Sequence, residues 1–498
     1  MHYLLLYLKK VFTVDVRALA LMRIGIGFVI LLDLGIRATD LEAHYANMGV
    51  LPLHVLFQYN WDPYFISLHA ISGLWQVQAV LFLIAALFGF LLLIGYRTRL
   101  ATIVSWFLLL SLQNRNLLIG QAGDDLLRMI LFWAIFLPWG RFYSQDAKRA
   151  NNLHPENLHF SAASAAFIVQ IMLVYVCTAL LKNSPEWHTT GTALYYALSL
   201  DQVLMPGGKL IYPYSGLLHF LTLSTYYIEL YLPFVLLIPF YTSFFRLLVV
   251  GVLTGFHLGI SVTLFVGLFY LINLVSFIGL LPAPALNWFD AKLLPHIQNL
   301  GYRLRRFSFN IKNPIQLRFN WQLPAARKAI LIIVKEGFVI SVLLYVIWWN
   351  FSNVPQINHP MPVSVRWPGM LLRVDQHWGM FAPEVFKDDG WYILEGVTAT
   401  HKHIDLNRNG QPVTERKPES VVALFKNDRW RKYGENYLFV NNAFMRPYFC
   451  HYRLRIWNEA HRPEDKVSEL QVIYMKERTL PNYQPVKPKR EVLCTCSL

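Results

Sequence analysis

Tyr175-Val-Cys-Thr-Ala-Leu-Leu-Lys-Asn-Ser-Pro-Glu-Trp-His-Thr-Thr-Gly-Thr-Ala-Leu-Tyr195 is the stretch on which the reading turns. An apolar run carries straight into Lys182, and Asn183-Ser184-Pro185 then ends the helix, because a residue preceding proline is pushed out of the helical region. The run from Ser161 to Leu181 is long enough to cross a bilayer. An ammonium group at the end of such a helix is costly and demands an account. Two readings stand. In one, the aliphatic stem lies along lipid and the charge snorkels to interfacial water. In the other, the amine is kept dry, so that a neutral base exists near pH 7.

The whole chain fits a membrane setting. Of its 498 residues, 55% are hydrophobic and only 15% charged, and the mean hydropathy is +0.36. Soluble domains carry about 25% charged residues. The net charge of +15 does not point to nucleic acid, because the basic residues gather in alternate loops, as membrane orientation requires. Four cysteines (Cys177, Cys450, Cys494 and Cys496) are too few for a disulfide scaffold. The opening Met1-His-Tyr-Leu-Leu-Leu-Tyr-Leu-Lys-Lys-Val-Phe12 lacks a small-residue cleavage site, so no removable signal peptide is expected.

Outward from the quoted stretch, the apolar runs predict about nine spans. Residues 1–16 form a basic amphipathic lead-in at the interface. Spans follow near 17–36, 74–94, 100–116, 124–138, 161–181 and 217–240. Two more divide the apolar run from Thr242 to Leu281, and the last lies at 328–349. The half-apolar segment 189–204 is too polar to span and is expected to lie on the membrane. With the N-terminus in the cytoplasm, the connectors on that side hold Lys9, Lys10, Arg97, Arg99, Arg141, Lys148, Arg149, Arg246 and the basic set from Lys292 to Lys328. This places Lys182, the 37–73 loop, the Gln113–Asp125 turn and the C-terminal tail on the outer side. The expected fold class is mainly α. A polytopic helix bundle (1–350) is followed by a small α+β extramembrane domain (351–480), periplasmic in an inner-membrane protein, and by a loose basic tail (481–498). Alternating Trp391-Tyr-Ile-Leu-Glu-Gly-Val-Thr398 and Leu470-Gln-Val-Ile-Tyr-Met475 predict strands, Asn407-Arg-Asn-Gly410 a turn, and 437–458 a helix.

Besides Lys182, several polar residues sit inside apolar runs. His257, in Gly255-Phe-His-Leu-Gly259, is either a satisfied core group or a functional one facing a cavity. Glu229 and Arg23 each read as half of an interhelical ion pair or as functional groups. Asp124, Asp125 and Arg128 read as helix capping. Asn114, Arg115 and Asn116 are candidates for binding an anion or a carbonyl, or satisfy a helix end. The pair His401-Lys-His403 reads as surface, and Cys494-Thr-Cys496 as a weak oxidation or metal signal; no metal site is expected. No nucleotide-binding, zinc-protease or nucleophile-elbow motif is present.

The order of these motifs resembles the HTTM family, the membrane domain shared with vitamin K-dependent γ-glutamyl carboxylase. The pieces that carry the resemblance are Leu19-Ala-Leu-Met-Arg-Ile-Gly25, Gly95-Tyr-Arg97, Gln113-Asn-Arg-Asn116 with Gly123-Asp-Asp125, Leu181-Lys-Asn183 with Trp187 and Gly191, and Gly255-Phe-His-Leu258. The tail, with Gln376-His-Trp-Gly-Met-Phe-Ala-Pro383, is similar to that of bacterial members. The resemblance implies a reduced vitamin K-type quinone as cosubstrate and Lys182 as the base that deprotonates it. It implies His257 as an assisting group and Asn114, Arg115, Asn116 and Trp187 as substrate-binding residues. In the carboxylase, oxygen then forms an epoxide, and the alkoxide made on the way removes a γ-proton from glutamate. The partners expected are membrane lipid and a peptide or protein substrate on the outer side. The departures are Arg115, where the carboxylase has histidine, and the lack of its large lumenal region. These put glutamate as substrate in doubt. The alternative is a non-catalytic lipid- or quinone-binding protein that docks a periplasmic partner through its tail.

Overall fold

Backbone removed from water must satisfy its own polar groups, and the apolar runs do so as helices. The computed structural model describes residues 2–150, 156–296, 324–484 and 486–497. Among the described residues, six helices are long and apolar enough to cross a membrane: Val16–Ala38, Trp75–Ile94, Ala162–Leu181, Ser215–Leu237, Thr242–Thr263 and Ala329–Ser352. A seventh is added if Phe269–Ile278 and Ala283–His296, bent by 91°, count as one. About nine spans were expected, and the shortfall has a physical cause. The helix Ala122–Ala134 has 13 residues and Phe269–Ile278 has 10. At 1.5 Å per residue they rise roughly 20 and 15 Å, against a hydrocarbon core of about 30 Å. The helix Thr98–Arg115 is diluted by threonine, serine, glutamine and asparagine.

Ala162–Leu181 is the axis of the bundle. In its apolar window 83% of residues are buried, against 17–28% in the outer helices Trp75–Ile94, Ser215–Leu237, Thr242–Thr263 and Ala329–Ser352. Ser161 opens it through a reciprocal cap with Ser164, and Lys182 closes it. The acid inside the last span also serves this axis: Glu336 pairs with Lys335 at 2.7 Å and accepts the Ala162 N–H at 2.7 Å. Gly95, at φ +67°, ends the helix Trp75–Ile94 in the left-handed conformation. A Cβ there would lie 2.3 Å from that of Ser144.

The connectors expected on the two sides gather at opposite ends. At one end Arg17 pairs with Asp290, Asp146 accepts from the backbone of Arg97 and Thr98, and Arg246 donates to Val11 O. A two-residue ladder joins β1 (Val14–Asp15) to β2 (Leu158–His159) there. The basic connector 297–323 lies outside the described residues. At the other end the loop 37–73, the turn 116–121 and the segment after Lys182 all meet the tail. Lys426 pairs with Asp40, Asn436 donates to Leu118 O, and Ser184 N donates to Pro383 O. The segment 189–204, expected to rest on the membrane, is covered by the tail: Tyr195 donates to Leu480 O at 2.6 Å.

The tail is an antiparallel sheet of order β5-β4-β3-β6-β7, formed by Gln411–Pro412 (β5), His403–Asp405 (β4), Asp388–Thr398 (β3), Val467–Arg478 (β6) and Lys489–Ser497 (β7). The register pairs Tyr392 with Tyr474 and Leu394 with Val472. Asn409 and Gly410, both at positive φ, make the expected turn. Two expectations are corrected. The helix read over 437–458 is two helices, Asp428–Leu438 and Arg446–Ala460, broken by a 3-10 segment. The stretch read as loose ends in β7, which pairs with β6 and is tied by a Cys450–Cys496 disulfide. Cys494 is free.

Candidate functional site

Lys182 lies where the axial helix stops, and its side chain turns inward. It is 3% exposed. Its Nζ donates to Glu229 Oε2 at 2.6 Å, and the Trp187 ring lies over it, 4.0 Å from Nζ to the ring centroid. Trp187 is held in turn by its indole N–H, which donates to Phe381 O at 3.0 Å. Snorkelling is therefore excluded by position: the ammonium is roofed by an aromatic face and paired with a buried carboxylate. Nor is the amine solitary. Its partner is Glu229, and the two form a buried ion pair. Glu229 comes from the helix Ser215–Tyr231, where it is one of the few buried residues.

Seven residues before Lys182, and so about 10 Å back along the helix, Tyr175 begins a second polar chain. Its hydroxyl lies 2.7 Å from His257 Nε2 and 3.1 Å from Asn273 Oδ1. The hydroxyl has one hydrogen. If it donates to Asn273, His257 must donate from Nε2. The other ring nitrogen, Nδ1, is buried without a partner. His257, carried by the helix Thr242–Thr263, thus meets the axial helix at Tyr175, with no hydrogen bond to Lys182.

Of the other residues predicted to bind substrate, Asn114 and Asn116 make hydrogen bonds within the protein. Asn114 donates to Ile66 O and accepts from Arg373; Asn116 donates to His44 O and accepts the Leu118 N–H. Arg115 is fully buried, and none of its three guanidinium nitrogens has a partner among the described residues. Asp124 does more than cap its helix: with Asp33 it holds the guanidiniums of Arg37 and Arg429. Arg23 has no carboxylate partner; it donates to the carbonyls of Trp139, Leu92, Leu93 and Tyr143. His403 bonds Glu395 at the surface, and no group of metal-ligating side chains occurs among the described residues.

An open apolar groove of about 550 Å3 runs along the helix that carries Glu229, lined by Phe220, Leu223, Tyr227, Ile228, Tyr231 and Val235. Ile228 lies in the groove, and Glu229, about 100° further round, points to the buried side. Tyr175, Asn273 and the pairing of Glu229 with Lys182 were not read from the sequence. The available signal was polar residues within apolar runs, and it does not say which ones meet. Comparison with family models, curated proteins and solved structures found no match to this chain.

Proposed function

We propose that the protein is an inner-membrane enzyme of the HTTM type that deprotonates a reduced vitamin K-type quinone, with Lys182 and Glu229 as a proton-sharing base. The observation that carries this reading is the dry ion pair under Trp187. Such a pair can take the proton of a quinol hydroxyl on its carboxylate, and the Lys182 ammonium, then unmatched, faces the quinolate oxygen that forms; burial keeps water from competing. The groove beside Glu229 suits an isoprenoid tail, which needs no polar contacts. Tyr175 and His257 sit deeper and assist by holding substrate oxygen or relaying a proton. The N-terminus is assigned to the cytoplasm and the tail to the periplasm. Two observations support this: the lysine and arginine distribution, and the Cys450–Cys496 disulfide, a bond that persists in oxidising compartments.

The test is epoxide formation from reduced vitamin K and oxygen by the purified full-length protein. Native protein should form epoxide, and Lys182→Ala should lose about 10²- to 10⁴-fold in rate. Equal rates in both would remove Lys182 as base. No epoxide from the native protein would overturn the oxygenase reading and favour a non-catalytic quinone- or lipid-binding protein whose tail docks a periplasmic partner. Carboxylation of a glutamate peptide is assayed separately, because that half can be absent alone.

A further inference from the structure

Arg115 stands apart from the other buried cations. Lys182 faces Glu229; Arg37 and Arg429 face Asp33 and Asp124, two charges against two; Arg373 faces Asp375 and Arg128 faces Asp125. Arg23 and Arg246 lack carboxylates but donate to carbonyls. Arg115 has neither. It is 0% exposed, and Nε, Nη1 and Nη2 all lack partners among the described residues. A buried guanidinium is not left uncompensated, because the desolvation cost of an isolated charge is several kcal/mol or more. Water could satisfy its hydrogens but would leave the positive charge unmatched.

The neighbourhood offers more donors. One turn earlier on the same helix, Ser111 Oγ accepts the His69 N–H at 3.1 Å and lies 2.7 Å from His69 Nδ1. In the tautomer in which the serine hydrogen points to Nδ1, the ring proton sits on Nε2, a buried nitrogen with no partner among the described residues. Burial, then the nearby Arg115 charge, holds His69 down to about 3, so the ring is neutral. Tyr45, also fully buried, accepts from Arg37 and has its own hydroxyl hydrogen to give. Arg115 and His69 are both 0% exposed, and the small void between the helices Val16–Ala38, Trp75–Ile94 and Thr98–Arg115 is a separate one, lined by Asp33, Ser105, Leu108 and Leu112 and not by Arg115. A lipid headgroup cannot reach a site this enclosed.

We infer that Arg115, with the His69 Nε2–H beside it, is a buried receptor for one compact monovalent anion.

The probes are chloride, formate and bicarbonate, each titrated at fixed ionic strength against gluconate, which is too large to enter. Full-length protein in detergent is dialysed to equilibrium with the radiolabelled anion, and Tm is followed in parallel. At least one probe should be retained at one per chain and should raise Tm saturably. Arg115→Gln should abolish both effects. His69→Ala, which leaves the charge in place, should raise the half-saturating concentration severalfold, and it keeps the test decisive if Arg115→Gln does not fold. The inference is overturned if no probe is retained by the native protein, if Arg115→Gln retains it equally, or if His69→Ala leaves the midpoint unchanged.

Discussion

At the scale of single residues, the molecule is organised by buried charges that meet across long stretches of chain. Lys182 and Glu229 are 4% and 6% exposed in their side chains, so removing one partner strands the other in a dry site. Glu229→Gln should destabilise by about 3–5 kcal/mol, read as a fall in Tm, whereas Lys182→Met combined with Glu229→Leu should lose less than either single change. If the double variant loses the sum of the singles, the two residues are not a pair. A second residue-scale prediction concerns acid. Asp389 is 2% exposed, and burial, then the charge of Asp201, lifts its carboxyl to about 7. An ordinary aspartate titrates near about 4. Between these values the folded chain holds a proton that the unfolded chain has released, so this contribution is full below about pH 4 and is lost as pH rises to about 7. It amounts to at most about 4 kcal/mol. Tm measured at pH 5 and pH 7.5 should fall in the native protein and change less in Asp389→Asn; equal falls would show that another group titrates.

Elements show where the sequence was legible and where it was not. Span boundaries near Ile36, Ile94 and Leu181 could be read within two residues, because apolarity and helix-stop chemistry are local. The turn at Asn407–Gly410 was legible for the same reason. The strand Lys489–Ser497 was not: its composition is basic and polar, and it becomes a strand because β6 offers an edge and Cys450 a sulfur. The pairing of Lys182 with Glu229, 47 residues apart, depends on how two helices rotate against each other, which no local pattern encodes. The edge strand gives a prediction of its own. Cys496→Ser should cost about 2–4 kcal/mol and raise amide hydrogen exchange in 489–497 before it does so in β3. Unchanged exchange there would mean that the backbone ladder alone holds the strand.

Across the whole molecule, loops placed on one side by their lysine and arginine content meet at one end, and those placed on the other side meet at the opposite end. Cysteines introduced at the exposed positions Lys148 and Lys402 should therefore label from opposite faces of an intact membrane with an impermeant thiol reagent. Labelling of both from one face would reverse the assignment. The knot formed by Asp33, Asp124, Arg37 and Arg429 bears on biogenesis. Arg429 reaches Asp33 at 2.7 Å and Asp124 at 2.5 Å, yet it is translated roughly 300 residues after the second of them. Until the C-terminal domain has docked, the one guanidinium of Arg37 must serve both acids. The ribosome's last product is thus the keystone of its first, and a chain cut short after its final span would leave the bundle with a negative charge it has no means to hide.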